Sequence, residues 1–115
     1  MITVYGIPNC DTVKKARTWL DEQGIAYQFH DFKKSGLSQE TIDHWISAVG
    51  WEPLLNRRGT TWRKLTPDQQ AGATDAASAV ALMLEHTSLI KRPVVDWGDK
   101  GVTTGFSSET WAKLG

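Results

Sequence analysis

Ile2-Thr3-Val4-Tyr5, then Gly6-Ile7-Pro8-Asn9, then Cys10-Asp11-Thr12-Val13-Lys14-Lys15-Ala16 open the chain, and their order decides the fold. The first four are a short apolar, β-branched and aromatic run, which reads as a strand. Gly6 to Asn9 are turn formers. A helix then starts near Cys10, because Val13, Ala16 and Leu20 recur at helical spacing, and Gly24 supplies a stop just past its end. Residues 26–32, with Tyr27, Phe29 and Phe32, read as a second strand. Strand, helix and strand make a βαβ unit.

Outward from that unit the pattern turns helical. Ser38 caps a helix carrying Ile42, Trp45, Ile46 and Val49, with Leu37 and Ile42 placed as a hydrophobic staple and Gly50 at its end. Thr66-Pro67-Asp68-Gln69 is another helix start, with a cap, a proline at the first position and Gln three residues on. Residues 75–86 form an Ala-rich helix with Val80, Met83 and Leu84. Strands return in Pro93-Val94-Val95-Asp96-Trp97 and, after the turn Gly98-Asp99-Lys100-Gly101, in Val102-Thr103-Thr104. A last helix follows Ser107, with Phe106 and Trp111 spaced as a staple. The expectation is an α/β fold in which the βαβ and ββα halves build one mixed four-stranded sheet, with a helical insertion at about residues 36–88 of a single domain spanning 1–115.

The chain has 115 residues, enough for one core, and its six tryptophans give that core large apolar surfaces. A formal net charge of zero does not favour generic binding to nucleic acid or acidic membranes. No apolar run is long enough for a bilayer, and the opening residues lack the basic start and apolar stretch of a signal peptide. One cysteine excludes an internal disulfide framework, so a reducing cytoplasm is the expected setting. His30, His44 and His86 are scattered, and no metal site is expected.

A lone cysteine most often fills a core as a small hydrophobe. The position of Cys10 argues otherwise. It lies where a strand-ending turn meets the first turn of a helix, where unpaired N–H groups and the helix dipole favour thiolate over thiol. A βα loop at the carboxyl end of a strand is also where α/β sheets place ligands. Lys14 and Lys15 follow, either as local positive potential or as solvated charge. The residue three after Cys10 is Val13, so a disulfide cycle needs a second thiol from outside, for which glutathione is the abundant candidate. Arg57, Arg58, Arg63 and Lys64 form a basic stretch in which a guanidinium could clamp a carboxylate or oxyanion, and sequence does not say which one turns inward. Arg92-Pro93 precedes the third strand; taken alone, those two residues favour an ordinary trans proline.

Three segments together, Tyr5 to Ala16, Leu54-Leu55-Asn56-Arg57-Arg58-Gly59-Thr60-Thr61-Trp62, and Lys91-Arg92-Pro93-Val94-Val95, resemble the glutaredoxin-like arsenate reductase/Spx family (ArsC family), and within it the YffB branch. The resemblance runs in order along essentially the whole chain. It implies a thioredoxin-like fold with a helical insertion, Cys10 as nucleophile, Arg92 near the sulfur and Pro93 as a cis proline facing it. Arg58 matches an arginine of the Spx-like segment. Two positions depart from the family's pattern: Gly105 stands where arsenate reductases carry a further arginine, and Asn56 occupies their oxyanion-binding position. Val13 removes the Cys-x-x-Cys switch of the Spx regulators. The expected activity is therefore that of a glutathione-dependent thiol reductase with one nucleophilic cysteine, with no bound cofactor and glutathione as co-substrate. Asn9, Arg58, Arg92 and Pro93 would hold a small oxidised or oxyanion substrate or glutathione; the expected state is a monomer, with glutaredoxin as a candidate partner. The alternatives are a true arsenate reductase or a non-catalytic Spx-like regulator.

Overall fold

A computed structural model describes residues 2–114. The chain divides into two compact units, one formed by the residues up to Gly36 together with Arg92 onward, the other by Leu37–Lys91.

The first unit is built on a four-stranded mixed sheet of order β2-β1-β3-β4. Its strands are β1 (Ile2–Gly6), β2 (Tyr27–Asp31), β3 (Val94–Asp96) and β4 (Val102–Thr104). β1 runs parallel to β2, with Val4 opposite Phe29, and antiparallel to β3, with Val4 opposite Val95 and Tyr5 opposite Val94. β3 pairs antiparallel with β4, Val94 opposite Thr104. The parallel pair needs a crossover, and α1 (Asp11–Glu22) supplies it. Gly24, at φ +69, ends α1: its N–H donates to the Asp21 carbonyl (3.1 Å) and the Ile25 N–H to that of Leu20 (3.0 Å). These two bonds are the Schellman arrangement that satisfies the last helical carbonyls.

Val4, Val95, Ala16, Leu20, Trp97 and Trp111 form the core of this unit. Trp111 lies on the last helix (Ser108–Leu114), and its ring meets Phe106 edge-on at 4.8 Å and Trp97 at 5.2 Å. The spacing that reads as a staple in the sequence is thus an aromatic contact, and the Thr110 N–H donates to Ser107 Oγ (3.3 Å). Buried Trp97 keeps its polar edge satisfied through Nε1 donating to Thr103 Oγ1 (2.9 Å).

One boundary differs from the reading of residues 26–32 as strand. Pairing stops at Asp31, and Phe32–Ser35 form a helical turn, α2. The Asp31 carboxylate accepts from the N–H groups of Lys33 (3.0 Å) and Lys34 (3.2 Å), which pulls the backbone out of the extended state just where the apolar alternation suggests one more strand residue.

The second unit contains five helices: α3 (Gln39–Val49), α4 (Trp51–Leu54), α5 (Thr60–Lys64), α6 (Pro67–Ala71) and α7 (Ala76–Glu85). The last helix of the chain is therefore α8. Ser38 caps α3 as its sequence requires, with Oγ accepting from the Thr41 N–H (3.2 Å), and Gly50 at φ +84 ends it. Thr66 and Gln69 form a reciprocal capping box (2.9 and 3.1 Å), yet α6 runs only five residues. In this unit Ile42, Trp45, Leu54, Ala79, Met83, Leu89 and Ile90 are fully buried. An isolated antiparallel bridge joins Leu55 to Ile90, flanked by the Asn56 N–H to the Leu89 carbonyl (2.7 Å) and the Lys91 N–H to the Leu54 carbonyl (2.8 Å). Among the described residues no helix is long and apolar enough to cross a membrane.

Candidate functional site

Cys10 is the N-cap residue of α1, in extended geometry (φ −96°, ψ 125°), with no side-chain cap hydrogen bond. Its carbonyl already accepts from the Lys14 N–H (2.9 Å), while its own N–H donates to the Ile7 carbonyl (3.3 Å) across the turn. The sulfur is therefore not spent on closing the helix, and the residue is half-buried rather than sealed. The exposed Asp11 carboxylate neutralises part of the positive end of the helix dipole. Pro8 and Asn9 are exposed in the preceding turn.

Sheet register brings the other segment of the first unit to the same end. The last residue pair of β1 and β3 is Tyr5 opposite Val94, so the chain leaves β1 toward Cys10 beside the point where it enters β3 from Arg92-Pro93. The Arg92–Pro93 peptide is cis, as the family resemblance implies and against what the two residues suggest by themselves. Pro93 is buried and Arg92 half-buried. β4 ends at this edge too: the Gly105 N–H donates to the Pro93 carbonyl (2.9 Å), and Gly105 is buried at φ +79. Cys10, Asn9, Arg92 and Pro93 thus share one end of one sheet.

Below the loop, Gly6 allows a close approach. A Cβ built there would lie 2.9 Å from Val13 Cγ2 and 3.2 Å from Val13 Cγ1. Val13 is fully buried, so the position three after the cysteine is a packing position in this chain.

Arg58 lies in the second unit, exposed, its N–H donating to Asn56 Oδ1 (3.2 Å). Its neighbour is differently employed: the Arg57 guanidinium sits 5.7 Å from the Trp51 ring centroid and 5.9 Å from that of Trp62. A planar cation between two indoles is held by their π faces. Both arginines border a pocket of about 590 Å³ whose lining includes Glu52, Leu55, Asn56 and Lys91. The two indoles escaped the sequence reading because Trp51 and Trp62 lie eleven positions apart, too far for a local pattern to pair them. Among the described residues no group of three or more His, Cys, Asp or Glu could hold a metal ion.

A four-stranded mixed sheet with a cysteine capping its crossover helix and a proline entering the neighbouring antiparallel strand defines the thioredoxin-like class in its arsenate reductase form. The ArsC family model matches residues 5–114, and the chain belongs to that family. It is similar to the solved structure of a YffB protein, at 46% identity and TM-score 0.93 over 99% of this chain and 98% of that one. An arsenate reductase (ArsC) related protein from Brucella melitensis is 51% identical, with TM-score 0.76 over 97% and 92%. The global transcriptional regulator Spx of Streptococcus agalactiae is 30% identical over 95% of this chain and 79% of its own length.

Proposed function

We propose that the protein is a cytoplasmic, monomeric, glutathione-dependent thiol reductase that uses Cys10 alone. The observation that carries the reading is the half-buried Cys10 at the N-cap of α1, its side chain uncommitted, at the sheet end that Arg92 also occupies. In the reaction the Cys10 thiolate attacks the glutathionyl sulfur of a mixed disulfide. One S–S bond breaks, the substrate leaves as a reduced thiolate, and Cys10 carries the glutathionyl group. A second glutathione thiolate then attacks that group, Cys10 is released as thiolate, and glutathione disulfide carries away the oxidising equivalents. The first-turn N–H groups and Asn9 orient the sulfur, and Arg92 holds the charge of the thiolate or of a glutathione carboxylate. Pro93 shapes the edge on which the glutathionyl backbone lies. Glutaredoxin could replace glutathione in the second step.

The test is incubation of the reduced protein with glutathione disulfide, read by intact mass. One glutathionyl adduct on Cys10 is expected, lost in Cys10→Ser and formed about ten-fold more slowly in Arg92→Ala. An adduct on the denatured chain with none on the folded protein would refute the proposal.

A further inference from the structure

The first unit carries a concave feature along α1. It is a cleft of about 490 Å³ lined by Lys14, Lys15, Thr18, Trp19, Glu22 and Phe106. Lys14, Thr18 and Glu22 follow Cys10 at intervals of four, so they continue the same helix face that the cysteine begins. The floor is aromatic: Trp19 and Phe106 meet edge-on with centroids 6.5 Å apart, and both stay half-buried although Trp111 beside them is fully enclosed. Phe106 is the neighbour in sequence of Gly105, whose N–H donates to the Pro93 carbonyl at the sheet end that carries Cys10. Its charge is graded, with two lysines toward Cys10 and Glu22 at the far end.

We propose that this cleft docks the polypeptide segment flanking an oxidised cysteine in a protein substrate, and that the preferred segment carries an acidic residue followed by an aromatic one. The proposal rests on the reading of Cys10 as a glutathione-coupled nucleophile and adds the class of substrate. The helix rise sets the spacing. Lys14 is about 6 Å along the axis from Cys10 and Trp19 about 13 Å. An extended segment covers about 3.3 Å per residue, so the carboxylate falls two residues from the substrate cysteine and the aromatic ring four. The lysines complement the carboxylate and the Trp19–Phe106 pair receives the ring edge-on.

Two synthetic peptides, each glutathionylated on one cysteine, test this. One has Asp at the second and Phe at the fourth position after the cysteine; the other has Lys and Ser. The small mixed disulfide of glutathione and 2-mercaptoethanol is the internal standard. The Asp/Phe peptide should be reduced with kcat/KM about three- to ten-fold above the Lys/Ser peptide. Lys15→Glu combined with Thr18→Glu should abolish or invert that preference when each rate is divided by the rate on the small disulfide, which absorbs any change in the thiol itself. Equal rates for the two peptides with wild-type protein would overturn the docking groove and leave the reductase intact. Reduction of neither peptide nor small disulfide would overturn the reductase. The groove is then judged by binding alone, using Cys10→Ser protein and peptides with Ser for Cys. Shifts at the Trp19 indole and Phe106 ring resonances on adding the Asp/Phe peptide support it, and shifts confined elsewhere, or none, overturn it.

Discussion

Replacing Gly6 by alanine tests how the fold holds the cysteine loop. The added Cβ would stand 2.9 Å from Val13 Cγ2 and 3.2 Å from Cγ1, with Phe29 Cε1 behind it at 3.6 Å. Carbon atoms pack best at about 3.5–4.0 Å, so Val13 must retreat by roughly half an ångström or more. Its side chain cannot swing aside cheaply, because a valine in a helix has one strongly preferred rotamer. Val13 is fully buried, so the strain passes into α1, whose first turn begins at Cys10. Overpacking of this kind costs about 1–3 kcal/mol, or about 4–8 °C in Tm per kcal/mol for a domain near this size. Val13→Ala alone loses two buried methyl groups, on the order of 2 kcal/mol with its cavity. In the double variant the new Cβ occupies part of the space that Val13 vacates, so the double loss should fall short of the sum of the singles by about 1 kcal/mol. Urea denaturation of the four proteins gives the cycle. Additive losses, or a Gly6→Ala protein within about 0.5 kcal/mol of wild type, would refute the contact argument, since surface-like tolerance is incompatible with a 2.9 Å approach.

Further outcomes follow from other contacts. Arg57→Ala should lose about 1 kcal/mol of stability and alter tryptophan fluorescence, with Arg57→Lys restoring little because an ammonium does not stack as a planar cation between two indoles. The Asp75 carboxyl is held below the usual aspartate range by the Ser78 N–H and then by its hydroxyl. Its stabilising contribution is therefore fully present above the unfolded aspartate value and is lost progressively as pH falls from there through the folded one; the stability gap between wild type and Asp75→Ala should close in acid urea titrations. Burial, and secondarily the Asp96 carboxylate, push the Tyr5 phenol above 10.0. Absorbance at alkaline pH should show Tyr5 ionising late, with its contribution to stability intact below the ordinary tyrosine value and lost as pH rises through the folded one; Tyr5→Phe should remove that loss. Gly105→Arg should not create an oxyanion clamp but should destabilise by about 1–2 kcal/mol or more, because the backbone there sits at φ +79, and a variant as stable as wild type would show that the backbone tolerates a side chain.

The sheet and its longer helices were legible because each is announced locally. Three signals carry α1: the alternation ending at Tyr5, the spacing of Val13, Ala16 and Leu20, and the stop at Gly24. Ser38 and the two staples do the same for α3 and α8. The helices α4 and α5 left no trace in the reading, since four or five residues cannot display a 3.6-residue period and neither has a side-chain cap. α2 was hidden for another reason: its start signal, Asp31, lies inside an apolar alternation that reads as strand. The Arg57–indole contact joins residues from α4, the following loop and α5, and no periodicity predicts that.

Of the residues gathered at this sheet end, the placement of Cys10 was legible from the residues alone, that of Arg92 and Pro93 only through the family resemblance. The reason lies in how each reaches the sheet edge. Cys10 follows β1 directly, so reading one turn places it. Arg92 and Pro93 arrive there only because β3 pairs antiparallel to β1 with Val94 opposite Tyr5, a register set some ninety residues away. The same register decides what the edge can hold. β4 enters it beside Pro93 and spends the Gly105 N–H on the Pro93 carbonyl, with the backbone in the left-handed region that glycine tolerates best. At Gly105 the third segment of this sheet end therefore contributes a backbone hydrogen bond and no side chain, where the arsenate reductase pattern has an arginine.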